Sequence, residues 1–271
     1  INATTKNPNG LPMRIAATYH REIGASMTRV WENVRDWEHL PWLHDESFSA
    51  CVLDEEGDWG WRAITKGVGK QKSTESVIEL AIDLQKTRYV SRTLDGPLPG
   101  VEIWTQLEET GPHSTKIEVE FHLPHLNKEQ AARAGQNLIG LYTKLWDEDE
   151  TMMIARQAAL DARLSGPREP VALGSIEKLE SRLPCLVETP QGPVRLIAHE
   201  GGIHAYPATC PHLKAPLANV EPDAENCITC PWHGYRFNIL NGLSADGRGL
   251  KLGSMPRIEV DENKQARLVW P

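Results

Sequence analysis

Two short segments near the C-terminus, CPH and CPWH, constrain the fold of this chain more than any other feature. The first contains Cys210 and His212, and the second contains Cys230 and His233. Thiolates and imidazoles are metal ligands, so the two pairs are candidate ligands of a metal site. The chain has five cysteines, an odd number, and three of them fall within residues 210–230. This crowding favours a metal site in a reducing compartment over a disulfide framework.

The two pairs and their surroundings, CPH and CPWHGYRFN followed by NG, closely resemble the Rieske [2Fe–2S] motif, C-x-H followed by C-x-x-H. The resemblance extends over about residues 171–271 and includes the segment GGIHAYPATCPH. It implies that Cys210 and Cys230 hold one iron of the cluster, and that His212 and His233 hold the other.

The residues beside the ligands indicate a subtype. Rieske proteins of respiratory complexes have one further cysteine in each loop, and these two cysteines form a disulfide. Ala215 and Trp232 stand at the corresponding positions here, which implies the ferredoxin and oxygenase branch. The alternative is a structural zinc site built from Cys210, Cys227, Cys230 and one histidine, because CITC is also a C-x-x-C pair.

A linker around residues 165–175, LSGPREPVALGS, divides the chain. Its two prolines and two glycines predict a boundary near residue 168, with domains at 13–167 and 171–271. The second domain is predicted to be all-β, and ETPQGPV and HEGGI are candidate hairpin turns.

The first domain is predicted to be a sheet with two helical regions. MRIAATYHREI alternates like a strand, SMTRVWENVRDWEHL has the apolar spacing of a helix capped by Ser26, and several strand-like segments follow. A long stretch after Asn127, which can cap it, is predicted to form one or two helices. This order resembles the helix-grip fold of the START/Bet v 1-like superfamily. The resemblance implies an α+β chain with an antiparallel sheet around a long helix, followed by the Rieske domain.

The segment NVRDWEHLPWLH contains a second candidate metal site. Asp36, His39 and His44 match the D-x-x-H-x4-H motif of Rieske oxygenases, and Asn33 matches the Asn that usually precedes it. This implies that the two histidines bind a mononuclear ferrous ion. Asp36 and His39 are three residues apart and are expected to share a helix face, where Asp36 can accept a hydrogen bond from the imidazole. Pro41 is expected to interrupt this helix and return His44 to the same ion. Taken singly, each histidine is an ordinary surface or core residue.

A carboxylate ligand is expected from the long helix. LWDEDETMMIARQAAL resembles the F-x-E-D-x-x-V-x-x-x-Q stretch of the same family, which puts the ligand at Asp149, the aromatic position at Trp146 and the glutamine at Gln157. Asp147 is the competing candidate, and Glu148 and Glu150 are less favoured ones. A run of four acids is also typical of a solvated helix face.

Composition excludes several functional classes. The formal net charge of −8 and the lack of any basic run longer than KGVGKQK argue against nucleic acid as a partner. No apolar run approaches the roughly 18 residues of a membrane span, so no membrane is expected. Residues 1–12 lack the features of a signal peptide and are either a native leader or a segment ahead of a start at Met13. A cytoplasmic location is expected.

The two resemblances together imply the oxygenase component of a Rieske non-heme iron oxygenase. Such a protein uses O2 and electrons from an NAD(P)H-dependent reductase or ferredoxin to hydroxylate or oxidatively demethylate a small organic, possibly aromatic, substrate. The E-D form of the carboxylate stretch slightly favours the monooxygenase and demethylase branch. The alternative is a non-enzymatic ligand-binding grip domain fused to a Rieske electron carrier or redox sensor.

One departure from the family concerns domain order, because its Rieske domain precedes the catalytic domain and here it follows. The resemblance also implies a homotrimer, in which Asp36 bridges His39 and His233 of the neighbouring subunit. A heterologous interface that closes into a ring suits this requirement.

Overall fold

The structure, a computed structural model, describes four segments of the chain: residues 13–69, 74–124, 126–162 and 167–271. The chain divides into two compact units, one through Ile154 and one from Ala155 onward. The division falls inside a long helix, and the boundary near residue 168 stays a prediction. The segment 1–12, for which two starts are considered, lies outside the described residues.

Seven strands of the first unit form one antiparallel sheet: β1 (Met13–Ile23), β2 (Ala50–Gly57), β3 (Gly60–Lys66), β4 (Glu75–Asp83), β5 (Arg88–Asp95), β6 (Glu102–Gly111) and β7 (Ser114–Pro124). Their order in the sheet is β1-β7-β6-β5-β4-β3-β2. The strands from β2 to β7 form the predicted meander, and β1 pairs with β7 at the far edge. The strand predictions for this unit are confirmed.

The faces of β7 show which side of the sheet is the core. Thr115, Ile117, Val119, Phe121 and Leu123 are all buried, while most residues between them are polar. This period of two puts one face of the strand against the helices.

The first helical region differs from its prediction. The helix α1 (Met27–Arg35) begins after Ser26, whose hydroxyl accepts a hydrogen bond from the backbone N–H of Arg29, as expected of a cap. It ends before Asp36, and a separate one-turn helix, α2 (Leu40–Leu43), follows with Pro41 in its first turn. The expectation that Asp36 and His39 share a helix face is therefore wrong. Proline cannot continue a helix because its ring clashes with the carbonyl four residues earlier, but it fits the first turn of a new one.

The long helix is a single element, α3 (Lys128–Asp161). Asn127 caps it as predicted: its side-chain oxygen accepts from the N–H of Gln130, and the Gln130 side chain accepts from the N–H of Asn127. These reciprocal bonds satisfy two donors at the helix start. None of the helices in the described part of the chain combines the length and the apolar character that a membrane span requires.

The second unit contains a short helix, α4 (Ile176–Glu180), and eight short strands: β8 (Val171–Ser175), β9 (Cys185–Val187), β10 (Val194–His199), β11 (Gly202–Pro207), β12 (Cys227–Thr229), β13 (Arg236–Asn238), β14 (Arg257–Val260) and β15 (Gln265–Val269). They form three small sheets, β11-β10-β9, β12-β13 and β14-β15-β8. Both predicted hairpin turns are present, one between β9 and β10 and one between β10 and β11.

A close approach of α3 to β1 fixes the distance between helix and sheet. A Cβ atom added to Gly135 would lie 2.6 Å from the carbonyl oxygen of Ala16 and 2.8 Å from the Cβ of Ala17. Because the first contact is with backbone, no side-chain rotation can relieve it. Gly135 is required here by space.

We therefore predict opposite effects for two Gly→Ala substitutions in the same helix. Gly135→Ala should destabilise the protein by about 1–3 kcal/mol, because the helix must move off β1. Gly140→Ala meets no atom within 4 Å and should stabilise by about 0.5–1 kcal/mol through helix propensity. Urea unfolding followed by circular dichroism measures both. Equal midpoints for the two variants would contradict this prediction.

Candidate metal centres

The short helix α2 brings two histidines together. His39 is its N-cap and His44 its C-cap, so each lies where the chain enters or leaves the helix. Both are buried, at 4% and 2% exposure, and their ring centroids are 5.0 Å apart. On a continuous helix, side chains five residues apart diverge by roughly 140°. Because the backbone leaves helical geometry at both ends of α2, the two histidine side chains can point to the same place.

Asp149 of α3 completes the group. Its Oδ1 atom lies 3.2 Å from Nε2 of His44 and 3.6 Å from Nε2 of His39. One ligand atom from each of these three buried residues lies within 4.8 Å of the others. Asp149 Oδ1 is buried and receives no well-aligned hydrogen bond. Two imidazole nitrogens and a carboxylate oxygen converging in this way fit a ferrous ion.

The first and last acids of the run on α3, Asp147 and Glu150, point away from the histidines. Asp147 is 61% exposed at its side chain and pairs with Arg21 of β1, at 2.6 Å. Glu150 also pairs with Arg21 and accepts a hydrogen bond from the N–H of Gly24. Successive helical residues are about 100° apart, so only one of four consecutive acids can face the histidines squarely. In this structure that acid is Asp149, and the competitor Asp147 lies on the outer side.

Carboxylates also lie behind both histidines. Glu148 Oε2 is 2.6 Å from Nδ1 of His44, and Asp36 Oδ2 is 3.8 Å from Nδ1 of His39. The first is a short hydrogen bond, whereas the second exceeds hydrogen-bond distance, so the bond predicted between Asp36 and His39 is not formed. A carboxylate behind a ligating imidazole fixes its tautomer and orientation. Sequence reasoning considered Glu148 only as a less favoured ligand and did not predict its contact with His44.

Charge in this group favours a cation. Burial lowers the pKa of His44, but the carboxylates of Asp149 and Glu148 raise it by more, so this pKa lies above its usual value. The same two carboxylates that stabilise the protonated imidazole would also stabilise a bound metal cation. Metal binding would displace that proton.

The second group lies on two loops of the second unit, one after β11 and one between β12 and β13. In each loop the N–H of the cysteine donates to the carbonyl five residues later, and the N–H four residues later donates back to the cysteine carbonyl, over 2.8–3.1 Å. The fourth residues, Lys214 and Gly234, both have positive φ, of 68° and 69°. Cys210 and Cys230 thus start two turns of the same backbone design.

The side chains of these turns converge as a cluster requires. The thiols of Cys210 and Cys230 hydrogen-bond each other, and this bond raises the pKa of Cys210 and lowers that of Cys230 to about 5. Backbone N–H groups of each loop also point at its sulfur. The His212 and His233 ring centroids are 4.6 Å apart. Two adjacent sulfurs and two adjacent imidazoles match the ligand set of a Rieske cluster.

The zinc alternative would need the thiol of Cys227 as a ligand. Its thiol donates to the carbonyl of Glu225 and it begins β12, as expected for a strand residue leading into the second loop. All five cysteines are free thiols.

An aromatic residue and a cation lie against the histidine side of this group. The ring of Tyr235 stacks on His212, with centroids 4.5 Å apart and planes 14° apart. The guanidinium of Arg248 lies 4.0 Å from the Tyr235 centroid and 3.4 Å from a carboxylate oxygen of Asp246. Sequence reasoning missed both contacts, since nothing in the motif pairs residue 248 with residue 235.

We predict that Arg248→Gln lowers the reduction potential of the cluster. A nearby cation stabilises the reduced state of the cluster, which is more negative than the oxidised state. The substitution also removes the arginine that pairs with Asp246, so the negative charge of Asp246 is less compensated. The ring of Tyr235 separates the charge of Arg248 from His212. With an effective dielectric constant of ~20, one charge at that separation shifts the reduction potential by an amount on the order of tens of millivolts. Redox titration by EPR measures it, with Arg257→Gln, an exposed arginine of β14, as the control. An unchanged or higher potential in Arg248→Gln would overturn this expectation.

We predict that Glu148→Gln weakens ferrous ion binding at His39, His44 and Asp149 by about 10–100-fold, because the carboxylate orients His44. Glu129→Gln is the matched control, the same change at an exposed acid in the first turn of α3. An anaerobic competition titration compares the two affinities. If Glu148→Gln binds iron as tightly as Glu129→Gln does, the carboxylate has no such role.

Relatives with curated descriptions match parts of the chain. Apoptosis-inducing factor 3 of Homo sapiens is 28% identical over 161 residues, which are 56% of this chain and 25% of that protein. The ferredoxin component of the alkene monooxygenase system of Xanthobacter autotrophicus is 30% identical over 63 residues, 23% of this chain and 52% of that protein. The chain thus spans between a quarter and about half of the length of these relatives.

Domain families match both units. Residues 14–141 match the family described as polyketide cyclase / dehydrase and lipid transport, and residues 169–252 match the Rieske [2Fe-2S] domain. A START superfamily protein from Mycobacterium smegmatis has a TM-score of 0.42 at 17% identity, covering 50% of this chain and 97% of its own. The chain thus has the predicted α+β fold, in which an antiparallel sheet with a long helix precedes an all-β region that matches the Rieske [2Fe-2S] domain.

Proposed function

We propose that this chain is the oxygenase component of a Rieske non-heme iron oxygenase. One observation carries the proposal: His39, His44 and Asp149 form a buried group of two imidazoles and one carboxylate within a START-like domain. A domain that only bound a ligand would have no need of such a group. Its presence in the same chain as a Rieske domain supports a use for the electrons that the Rieske domain carries.

Each centre has a separate task in this proposal. Bound at His39, His44 and Asp149, ferrous iron would supply open coordination positions for O2, and a [2Fe–2S] cluster at the second group would supply single electrons. Hydroxylation consumes O2, two electrons and two protons, leaving one oxygen in the product and one in water. Oxidative demethylation begins with the same step on a methyl group.

The chain's own residues would support this chemistry in two ways. The carboxylate of Glu148 holds the His44 ring through Nδ1, so that Nε2 stays directed at Asp149. Burial of all three ligands keeps bulk water from them, which strengthens their electrostatic interaction with the ion.

The electron donor is proposed to be an NAD(P)H-dependent reductase or a ferredoxin. The similarity of the Rieske domain to a ferredoxin component of a monooxygenase system supports transfer of electrons to an oxygenase. It also favours a second candidate function, in which the chain is a Rieske electron carrier fused to a ligand-binding domain. The two candidates differ in whether a second metal is bound.

A homotrimer is the proposed assembly, by resemblance. In it, Asp36 would connect His39 to a cluster histidine of the next subunit. Asp36 is suitably placed, because it lies on the Nδ1 side of His39 and its side chain keeps 13% exposure. His233 is only 2% exposed, whereas His212 keeps more accessible surface, so the proposal extends to either imidazole.

Metal content tests the proposed function. The protein is purified without oxygen, loaded with ferrous iron, freed of excess iron and analysed for metal per chain. We expect about three irons, two in the cluster and one at the histidines. His39→Ala should hold about two, with the visible and EPR spectra of the cluster unchanged and no substrate turnover.

A surface histidine provides the control. His20→Ala changes a residue of β1 that is 66% exposed and should keep about three irons. About two irons in the unaltered protein would favour the electron carrier instead. Zinc in place of iron would contradict both candidates.

A further inference from the structure

The turn between α1 and α2 decides where His39 lies, because this histidine comes shortly after the last residue of α1. The N–H of Asp36 donates to the carbonyl of Asn33 over 3.1 Å, which is a tighter turn than that of an α-helix. Asp36 itself has φ of −90° and ψ of 93°, so the chain leaves the helix at this residue. The geometry of this turn therefore sets the direction in which the chain reaches α2.

A tryptophan of the sheet holds the first end of this turn. Val34 lies in the last turn of α1, and its carbonyl accepts a hydrogen bond from Nε1 of Trp61 on β3, over 2.9 Å. Both residues are buried. In a continuing helix this carbonyl would instead accept from the backbone N–H four residues later. The indole thus satisfies a carbonyl that the end of the helix leaves available.

A glutamate of the neighbouring strand holds the other end of the turn. Glu56 of β2 pairs directly with Trp61 of β3 in the antiparallel register, so the two side chains share a face of the sheet. Oε2 of Glu56 accepts a hydrogen bond from Nε1 of Trp37, over 3.2 Å. One cross-strand pair therefore contacts the backbone at position 34 and the side chain at position 37.

A β-bulge in β2 puts Glu56 opposite Trp61. The register between β2 and β3 shifts by one residue just before Glu55. Two consecutive acids, Asp54 and Glu55, both contact the guanidinium of Arg62 on β3. Without the extra residue, Glu55 rather than Glu56 would lie opposite Trp61. Bulges commonly redirect a side chain beside a functional site.

We propose that Trp61 and Glu56 position His39 for metal binding, by holding the turn formed by residues 34–37. The inference rests on the proposed function for the identity of the metal, and neither residue is proposed as a ligand. Trp61 is the stronger positioning residue, because it is buried and its backbone pairs on one side with Glu56 and on the other with Leu80. Ligands supported from a strand inside a sheet are held more precisely than ligands supported by a loop alone.

The expected effect of losing either contact is weaker metal binding with all three ligands still present. Without these contacts the turn can adopt other directions, and only a fraction of the molecules then holds His39 where the metal needs it. The apparent affinity falls by that fraction. If the fraction is between roughly a tenth and a third, the affinity falls by about 3–10-fold.

Trp61→Phe tests the buried hydrogen bond, because it keeps an aromatic ring and deletes the donor to the Val34 carbonyl. Trp104→Phe is the matched control. Nε1 of Trp104 donates to Glu102 over 2.8 Å on the opposite face of the same sheet. The cluster-loaded protein is titrated without oxygen against ferrous ion and, separately, against zinc ion. We expect Trp61→Phe to bind ferrous ion about 3–10-fold more weakly, and Trp104→Phe to bind it as the unaltered protein does.

Urea unfolding separates a positioning role from a general loss of structure. Trp61→Phe is expected to unfold at a lower urea concentration, since a buried carbonyl loses its partner. If the folded variant nevertheless binds ferrous ion as tightly as Trp104→Phe does, Trp61 is only structural and the inference is overturned.

Glu56 gives a second test at an exposed residue, where substitution does not threaten the fold. Glu56→Gln keeps an oxygen that can accept from Trp37, whereas Glu56→Ala removes it. We expect Glu56→Ala to bind ferrous ion about 2–5-fold more weakly and Glu56→Gln to keep most of the affinity. Equal losses in the two variants would show that Glu56 acts through its charge, which contradicts its positioning role.

The two metals separate this inference from the proposed function. Binding is assigned to the site by its loss in His39→Ala. Ferrous binding that is unchanged in Trp61→Phe and in Glu56→Ala keeps the oxygenase and overturns the positioning role. A site that takes zinc but not ferrous ion, and takes zinc more weakly after Trp61→Phe, keeps the positioning role and removes the oxygenase. Binding of neither metal overturns both.

Discussion

The rotation of α3 about its own axis is the constraint on which the candidate iron site depends. Arg21 of β1 sets it, by pairing with Asp147 and with Glu150 on the outer side of the helix. These two acids are three residues apart and share that side. The residues between them are then turned inward, which leaves Asp149 facing both imidazoles and Glu148 behind one of them.

The distance between α3 and the sheet is set by a different contact from the one that sets the rotation of the helix. Gly135 lets the backbone of α3 approach β1 at Ala16, at a spacing no larger residue permits. This contact lies several turns before Asp149 and holds the first half of α3 close to β1. Position and rotation are thus fixed by two different contacts with one strand.

Both candidate centres obtain their ligands from chain segments that leave regular structure. His39 and His44 flank a one-turn helix, and the cysteines open two loops whose fourth residues have positive φ. A continuous helix separates side chains five residues apart by roughly 140°, and a strand sends adjacent residues to opposite faces. Ligands close in sequence converge only where the backbone turns between them.

Much of the fold could be predicted because it depends on local patterns. Strand alternation, the Asn127 cap and the two hairpin turns each involve residues near one another in sequence. The end of α1 was missed because Pro41 acts four residues upstream, at Trp37, so a helix that reaches His39 is already excluded before the proline itself. The contacts of Glu148 with His44 and of Arg248 with Tyr235 join distant or oppositely oriented positions, and no local pattern reports them.

The order of the two domains has little bearing on whether either centre forms. His39, His44 and Asp149 all belong to the first compact unit, and the cysteine and histidine loops belong to the second. Each unit closes its own sheets and supplies every ligand of its own candidate site. Exchanging their order along the chain therefore leaves both ligand sets intact. What the order can change is the path an electron takes between the centres, and in the proposed trimer that path runs between subunits, where the sequence of domains in one chain imposes no constraint.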